Sequence, residues 1–357
     1  GGASFPLLSG ILGTSIGKKR CMMQSSASKK LAQQAVPRLI LQLSLPAILG
    51  MLVSSLYNLS DTFFAARLGP SQTAAVGVVM PIMTLIQAVG MTFGMGAGSQ
   101  ISYLLGQQDG KKAERAGALG LVLAAGFGLF LTAGGLCFLT PLLRLLGATE
   151  TIAPYARDYA RYILLGAPVM TGSFVMNNLL RSQGYAVYAM AGITPGGILN
   201  MILDPVFIFL CGMGVRGAAL ATVISQGISA IWCVRFLAGK KTHLRLKKDK
   251  IRLHAAILLP CVALGLSPFV MQASESIISV CFNSSLLKYG GDVAVGAMTI
   301  CTSVMQFAML PLQGIAQGAQ PISSYNFGAR NAPRVRETFR YLLRISVMYS
   351  VGLWLFI

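Results

Sequence analysis

Nine stretches of this chain, roughly 39–65, 73–105, 116–140, 155–181, 186–211, 217–239, 255–287, 293–327 and 338–357, are apolar over about the 20 residues a helix needs to cross a bilayer. The chain therefore reads as all-α and polytopic. Its composition agrees: 54% of residues are hydrophobic, 11% are charged, and mean hydropathy is +0.67, values that belong to membrane proteins rather than soluble domains.

The first stretch, Arg38 to Arg67, carries a carboxylate, Asp61, in its second half. A charged side chain at that depth costs on the order of 2.5–3.5 kcal/mol on insertion scales and calls for a compensating role. Ser54, Tyr57, Asn58 and Asp61 fall at i, i+3, i+4 and i+7, one polar stripe that must face protein or a water-filled cavity. Pro46, near the start of the same helix, removes a backbone donor and bends its first turns.

The net charge of +19 raises the question of nucleic acid, but position answers it. Most of the 29 lysines and arginines, Arg181 among them, fall at alternate ends of the spans, and Arg67, Arg144, Arg157, Arg161, Arg216 and Lys288 hold the other ends. This is the positive-inside pattern, and it puts the amino terminus in the cytoplasm of a multi-pass protein of the plasma (inner) membrane. A basic patch that alternates with membrane spans does not bind RNA. The seven cysteines are scattered without a CxxC pair and read as small packing residues, and the two histidines, His243 and His254, share one basic loop, which argues against catalytic zinc. Residues 1–36 read as a leader that is disordered or artefactual, with Met22 or Met23 as an alternative start.

A repeat organises the rest. At an offset of 222, Leu45-Pro46 falls on Ser267-Pro268, Asp61 on Asn283, and Gly96-Ala97 through Tyr103 and Gly106 on Gly318-Ala319 through Tyr325 and Gly328. The first unit contains six spans, an even number, so the second starts on the same side and is a parallel repeat. The expected domains are a six-helix lobe at 37–239, a basic cytoplasmic linker at 240–254, and a second lobe at 255–357. That second lobe holds about three of an expected six helices, as in a chain that lacks its last three.

Further polar residues lie at depth. Asn200 and Asp204 stand at i and i+4 before Pro205; Thr222, Ser225, Gln226 and Ser229 form a stripe; Asn177-Asn178, Glu275 and the Gln306, Gln313, Gln317, Gln320 series mark other spans. Two carboxylates among amide and hydroxyl oxygens suit a hard monovalent cation or a shared proton. The bland reading is a hydrogen-bond network that ties helices together, and for Asp61 and Asp204 the functional reading leads. The run Gly90-x-x-x-Gly94-x-Gly96-x-Gly98 follows no strand and reads as helix packing rather than a dinucleotide motif.

These residues, in this order and spacing, resemble the multidrug and toxic compound extrusion (MATE) transporters, over about Pro37 to Ile357. Pro46 with Tyr57 and Asp61, Asn177, the Asn200-x-x-x-Asp204-Pro205 block, Thr222, and Gln320-Pro-Ile-Ser-Ser-Tyr-Asn-Phe-Gly328 carry the resemblance. It implies two helical lobes in a V around a central cavity and export driven by inward sodium or proton flow. It also implies that Asp61, Asn200, Asp204 and Thr222 form a cation site, with Tyr57 and Asn177 in its network, and that Glu275 lies on a helix where some members hold a second acidic site. No cofactor is implied beyond Na+ or H+ as coupling ion. The expected partners are membrane lipid and lipophilic, cationic small molecules whose charge an acid-containing cavity would compensate, and the chain is expected to act as a monomer, not as an enzyme.

Two other readings stand beside it. A flippase of a lipid-linked anionic precursor would require Arg or Lys lining the cavity at depth. An intramembrane aspartyl enzyme would require Asp61 and Asp204 as a facing pair.

Overall fold

The computed structural model describes residues 30–239 and 255–356. Residues 1–29, in the expected leader, and 240–254, the expected linker with both histidines, lie outside the described residues, as does the side chain of Asn283. Lipid offers no partner to backbone N–H and C=O groups, so apolar spans satisfy them internally as helices. Helices account for all the regular structure among the described residues: α1 (Val36–Ala66), α2 (Pro70–Gly106), α3 (Gly110–Cys137), the short α4 (Leu139–Leu145), α5 (Ala153–Ser182), α6 (Ala186–Pro205), α7 (Val215–Ala238), α8 (Ala255–Gly328) and α9 (Ala332–Phe356). Seven of these segments are long and apolar enough to span a membrane, the seventh being Leu258–Glu275 within α8.

The α1 helix shows how the sequence sorts its faces. Leu41, Leu45, Leu49, Leu56, Leu59 and Phe63 are exposed in the manner of a lipid-facing side, whereas Tyr57 and Asp61 are buried. Pro46 lies inside the helix as expected.

Glycines set the helix contacts. A methyl at Gly90 would meet Phe174, one at Gly94 would sit 2.8 Å from Asn178 Nδ2, and one at Gly98 would sit 3.3 Å from Ser182 Cβ. Both members of each pair advance four residues at a time, so α2 and α5 run parallel along one row. The opposite face of α2 brings Gly96 against the carbonyl of Cys261 in α8. The glycine run is therefore a packing device for two neighbours at once.

The α8 helix differs from expectation. The sequence predicts two spans broken near 288–292, and the backbone is instead helical from Ala255 to Gly328. Yet Cys261 packs on Gly96 of α2 and Tyr325 packs on Gly106 of the same helix. A straight helix would hold Cys261 and Tyr325 about 96 Å apart at ~1.5 Å per residue. The segment therefore doubles back, and its two limbs take the places of two antiparallel spans.

The lobes meet through the end of the bundle where α1 and α8 begin. Ser44 Oγ donates to the Ile315 carbonyl at 3.3 Å, Gly314 packs on Ile48, Gly318 packs on Ser44, and Gln320 Nε2 donates to Ser99 Oγ. One contact is reciprocal: Gly106 abuts the Tyr325 carbonyl while Gly328 abuts the Tyr103 carbonyl. These four residues are two pairs related by the 222-residue offset. The sequence repeat is thus a spatial two-fold, with its axis passing between α2 and the second limb of α8.

Candidate cation site and central cavity

The site is built on a four-residue row of α6. Gly192, Gly196, Asn200 and Asp204 share one face, and that face lies on α7, where a methyl at Gly192 would sit 3.0 Å from Cys233 Sγ and one at Gly196 3.0 Å from the Ser225 carbonyl. Ser229 Oγ donates to the Gly192 carbonyl at 2.8 Å and fixes the register. Glycines at the first two positions let the helices close, which carries Asn200, one turn further along, to Thr222, with Asp204 on the next turn of the same face. Beyond Pro205 the chain widens into a π turn, Val206–Leu210.

Asp61, Asn200, Asp204 and Thr222 come together, all buried. Asn200 Nδ2 donates to Asp204 Oδ1 at 3.4 Å and to Thr222 Oγ1 at 3.4 Å. The Thr222 hydroxyl has one proton for two acceptors, Asp61 Oδ2 at 3.3 Å and the Ala218 carbonyl at 3.1 Å. The two carboxyl groups are adjacent. Among the described residues, Asp61 Oδ1, Asn200 Oδ1 and Asp204 Oδ2 are buried without a donor. Buried acceptors are rarely left unpaired, and neighbouring carboxylates repel unless a positive charge lies between them. An oxygen-only set with spare lone pairs can hold a hard cation or a proton.

Beside this cluster lies a cavity of about 230 Å³. Tyr57, Asn200 and Thr222 form the wall between cavity and acids, and neither Asp61 nor Asp204 lines it. Tyr57 packs against Gly197, where a methyl would sit 3.4 Å from Cδ1, and its hydroxyl accepts from Gln226 Nε2 at 3.4 Å. Asn177 also lines the cavity but bonds to the Ser173 carbonyl at 3.0 Å rather than to either aspartate. Pro46 reaches the cavity wall. Glu275 is exposed on the first limb of α8 and does not line the cavity. Of the glutamine series, Gln313 and Gln317 face the cavity and Gln320 ties the lobes together.

Arg181 is the residue that sequence reasoning missed. It lies in the last turn of α5, at the span end expected for it, and from there it lines the cavity, is the one charged side chain among the lining residues, and donates through Nη1 to Gln317 Oε1 across the lobe junction. The signal was available: Arg181 lies three and four residues beyond Asn178 and Asn177, on their face of α5. The expected compensating charge is likewise displaced, since the acids lie behind the wall and a cation lies in it.

Fold and site define a multi-pass helical membrane transporter, with a central cavity between lobes and a buried carboxylate cluster beside it. The MatE family model matches residues 46–206 and 268–357, and the chain belongs to that family of multidrug efflux transporters. It is 27% identical over 321 residues to the multidrug export protein MepA of Staphylococcus haemolyticus, which covers 89% of this chain and 71% of that protein. The MepA of Staphylococcus aureus is 26% identical, covering 87% of this chain and 69% of its own length. Among solved structures, a multidrug resistance MATE family transporter of the MOP superfamily in the outward-facing conformation superposes with a TM-score of 0.87 at 30% identity, covering 92% of this chain and 73% of that one. A MOP superfamily transporter from Pyrococcus furiosus, described as having a binding pocket of reverse polarity, superposes with a TM-score of 0.86 at 30% identity, covering 91% and 72%.

Proposed function

We propose that the protein is a cation-coupled antiporter, driven by sodium or protons, that exports drugs or other lipophilic, cationic compounds across the cytoplasmic membrane, with its amino terminus inside. The observation that carries the coupling is the set of donorless oxygens on Asp61, Asn200 and Asp204, held by Thr222 beside the cavity. In this reading the lobes touch at their cytoplasmic ends and the cavity opens outward. An ion or proton that enters the cluster draws Asp61 of α1 toward Asp204 of α6. Tyr57 lies one turn from Asp61 and forms the cavity wall, so this movement reshapes the cavity and expels cargo. Coupling requires only that ion and cargo favour different states.

The test uses the full-length protein in everted vesicles, with a fluorescent lipophilic cation added to the medium on their cytoplasmic face and separate sodium and pH pulses, wild type beside Asp61→Asn, and reads export as dye entering the lumen. Export triggered by one pulse and lost in the variant is expected. Export that persists in Asp61→Asn would remove the assignment. Arg181 favours a second reading, a flippase of a lipid-linked anionic precursor, because it is a cation that lines the cavity, from the last turn of α5 rather than from mid-span; failure of every dye together with flipping of such a lipid would establish it.

A further inference from the structure

We infer that Arg181 forms an anion subsite at the closed end of the cavity, so that among lipophilic cations the favoured cargo also carries an anionic group, such as a carboxylate, on its apolar body. The inference deepens the exporter reading and rests on the cavity being the cargo site.

Three observations converge. The guanidinium is held at the lobe junction by a neutral partner, Gln317, and among the described residues no carboxylate pairs with it. Its Nε is buried without an acceptor, so donor capacity is left over. The residue is half-buried, a guanidinium whose Nε is withdrawn from water is best satisfied by an anion, and the planar fork of Arg suits a carboxylate better than Lys would. The rest of the lining supplies the apolar body's surroundings, with Met51, Met91, Phe174, Met190 and Leu310 around the amides of Asn178 and Gln313. Asp61 and Asp204, the groups that would repel an anion, are screened behind Tyr57, Asn200 and Thr222. The cavity as cargo meets it is therefore positively charged at one end and uncharged elsewhere.

The chemistry predicts a preference between two molecules that differ in one group. A rhodamine with a free carboxylate and its methyl ester share size, ring system and positive charge, and the ester lacks the anion. Fluorescence polarisation with full-length protein in nanodiscs, without any ion gradient, should give tighter binding of the free acid by about tenfold, the scale of one charge-assisted hydrogen-bonded contact. In Arg181→Gln, and equally in Gln317→Glu, where a carboxylate beside the guanidinium neutralises it in place, the ratio should fall to about one. A ratio that stays near the wild-type value in either variant overturns the subsite. Loss of binding of both dyes in both variants also overturns it, because Arg181 would then hold the lobes together rather than recognise cargo. Displacement of the free acid by nanodiscs containing a polyprenyl phosphate, with weaker displacement by soluble carboxylates, would assign the same subsite to a lipid headgroup. Because binding needs no coupling ion, an acid preference that survives while neither pulse drives export would defeat the antiport reading alone.

Discussion

Thr222→Val tests whether the cluster works as one site. The substitution keeps the side chain's shape and removes its hydroxyl, which bonds both Asn200 of α6 and Asp61 of α1. Its loss deprives Asn200 Nδ2 of an acceptor at 3.4 Å and Asp61 Oδ2 of a donor at 3.3 Å, while Asp61 Oδ1 already has none. Both bonds are long, so each falls toward the lower part of the ~0.5–1.5 kcal/mol range for a net protein hydrogen bond. Together they amount to about 1–2 kcal/mol of ion-bound-state stabilisation, or roughly five- to thirtyfold in the ion concentration that half-saturates dye export. Thr222→Ser retains the hydroxyl and should stay within about twofold of wild type. Two results would refute the reasoning: a Val variant with wild-type ion dependence, or a Ser variant that falls as far as Val.

Two further predictions concern stability. A methyl at Gly128 would sit 2.6 Å from Pro168 Cα and 2.7 Å from Thr171 Oγ1, whereas one at Gly126, on the same helix, would meet nothing within 4 Å; Gly128→Ala should therefore lower stability by about 1–3 kcal/mol, against a neutral or slightly stabilising Gly126→Ala, by thermal unfolding in detergent. Asp109 caps α3 by accepting from the Lys112 backbone N–H at 3.1 Å and pairs with Lys112 Nζ at 3.0 Å, bonds that hold its carboxyl below the ordinary carboxylate range. A depressed folded value contributes stability above the unfolded one and loses it as pH falls, so the melting difference between wild type and Asp109→Ala, worth at most about 1 kcal/mol at neutral pH, should vanish on acidification through the carboxylate range.

Much of the site was legible because helical period fixes which residues share a face. Asn200 and Asp204 had to lie together, and Asp61 had to turn away from lipid, whatever the neighbours were. What period does not fix is the rotation and depth of one helix against another. The α1 stripe puts Ser54, Tyr57 and Asn58 on the cavity and Asp61 behind it, a division decided by Gly197 admitting Tyr57 and by Thr222 reaching Asp61. Arg181 escaped notice for the related reason that a residue at a span's end is solvent-exposed in an isolated helix, and here the second limb of α8 covers it. The glycine run was legible as packing but not in its two-sidedness, since α2 serves both α5 and α8 only once both are in place.

The 222-residue repeat explains how the lobe junction can be close and still separable. Gly106 against the Tyr325 carbonyl and Gly328 against the Tyr103 carbonyl are the same contact made twice about the two-fold. Such backbone contacts require glycine on both sides and contribute at most about 0.5–1 kcal/mol each. The polar links that accompany them include Ser44 to the Ile315 carbonyl, Gln320 to Ser99 and Arg181 to Gln317, and among the described residues no ion pair joins the lobes. Each neutral partner can be replaced by water, at small net cost, once the junction opens. A transporter that must alternate needs an interface specific in shape and weak in energy, and duplicated glycine seats with neutral polar partners meet both conditions. Arg181 brings a charge to the cavity side of that junction, so the anion it binds is placed to favour one state of the lobes over the other.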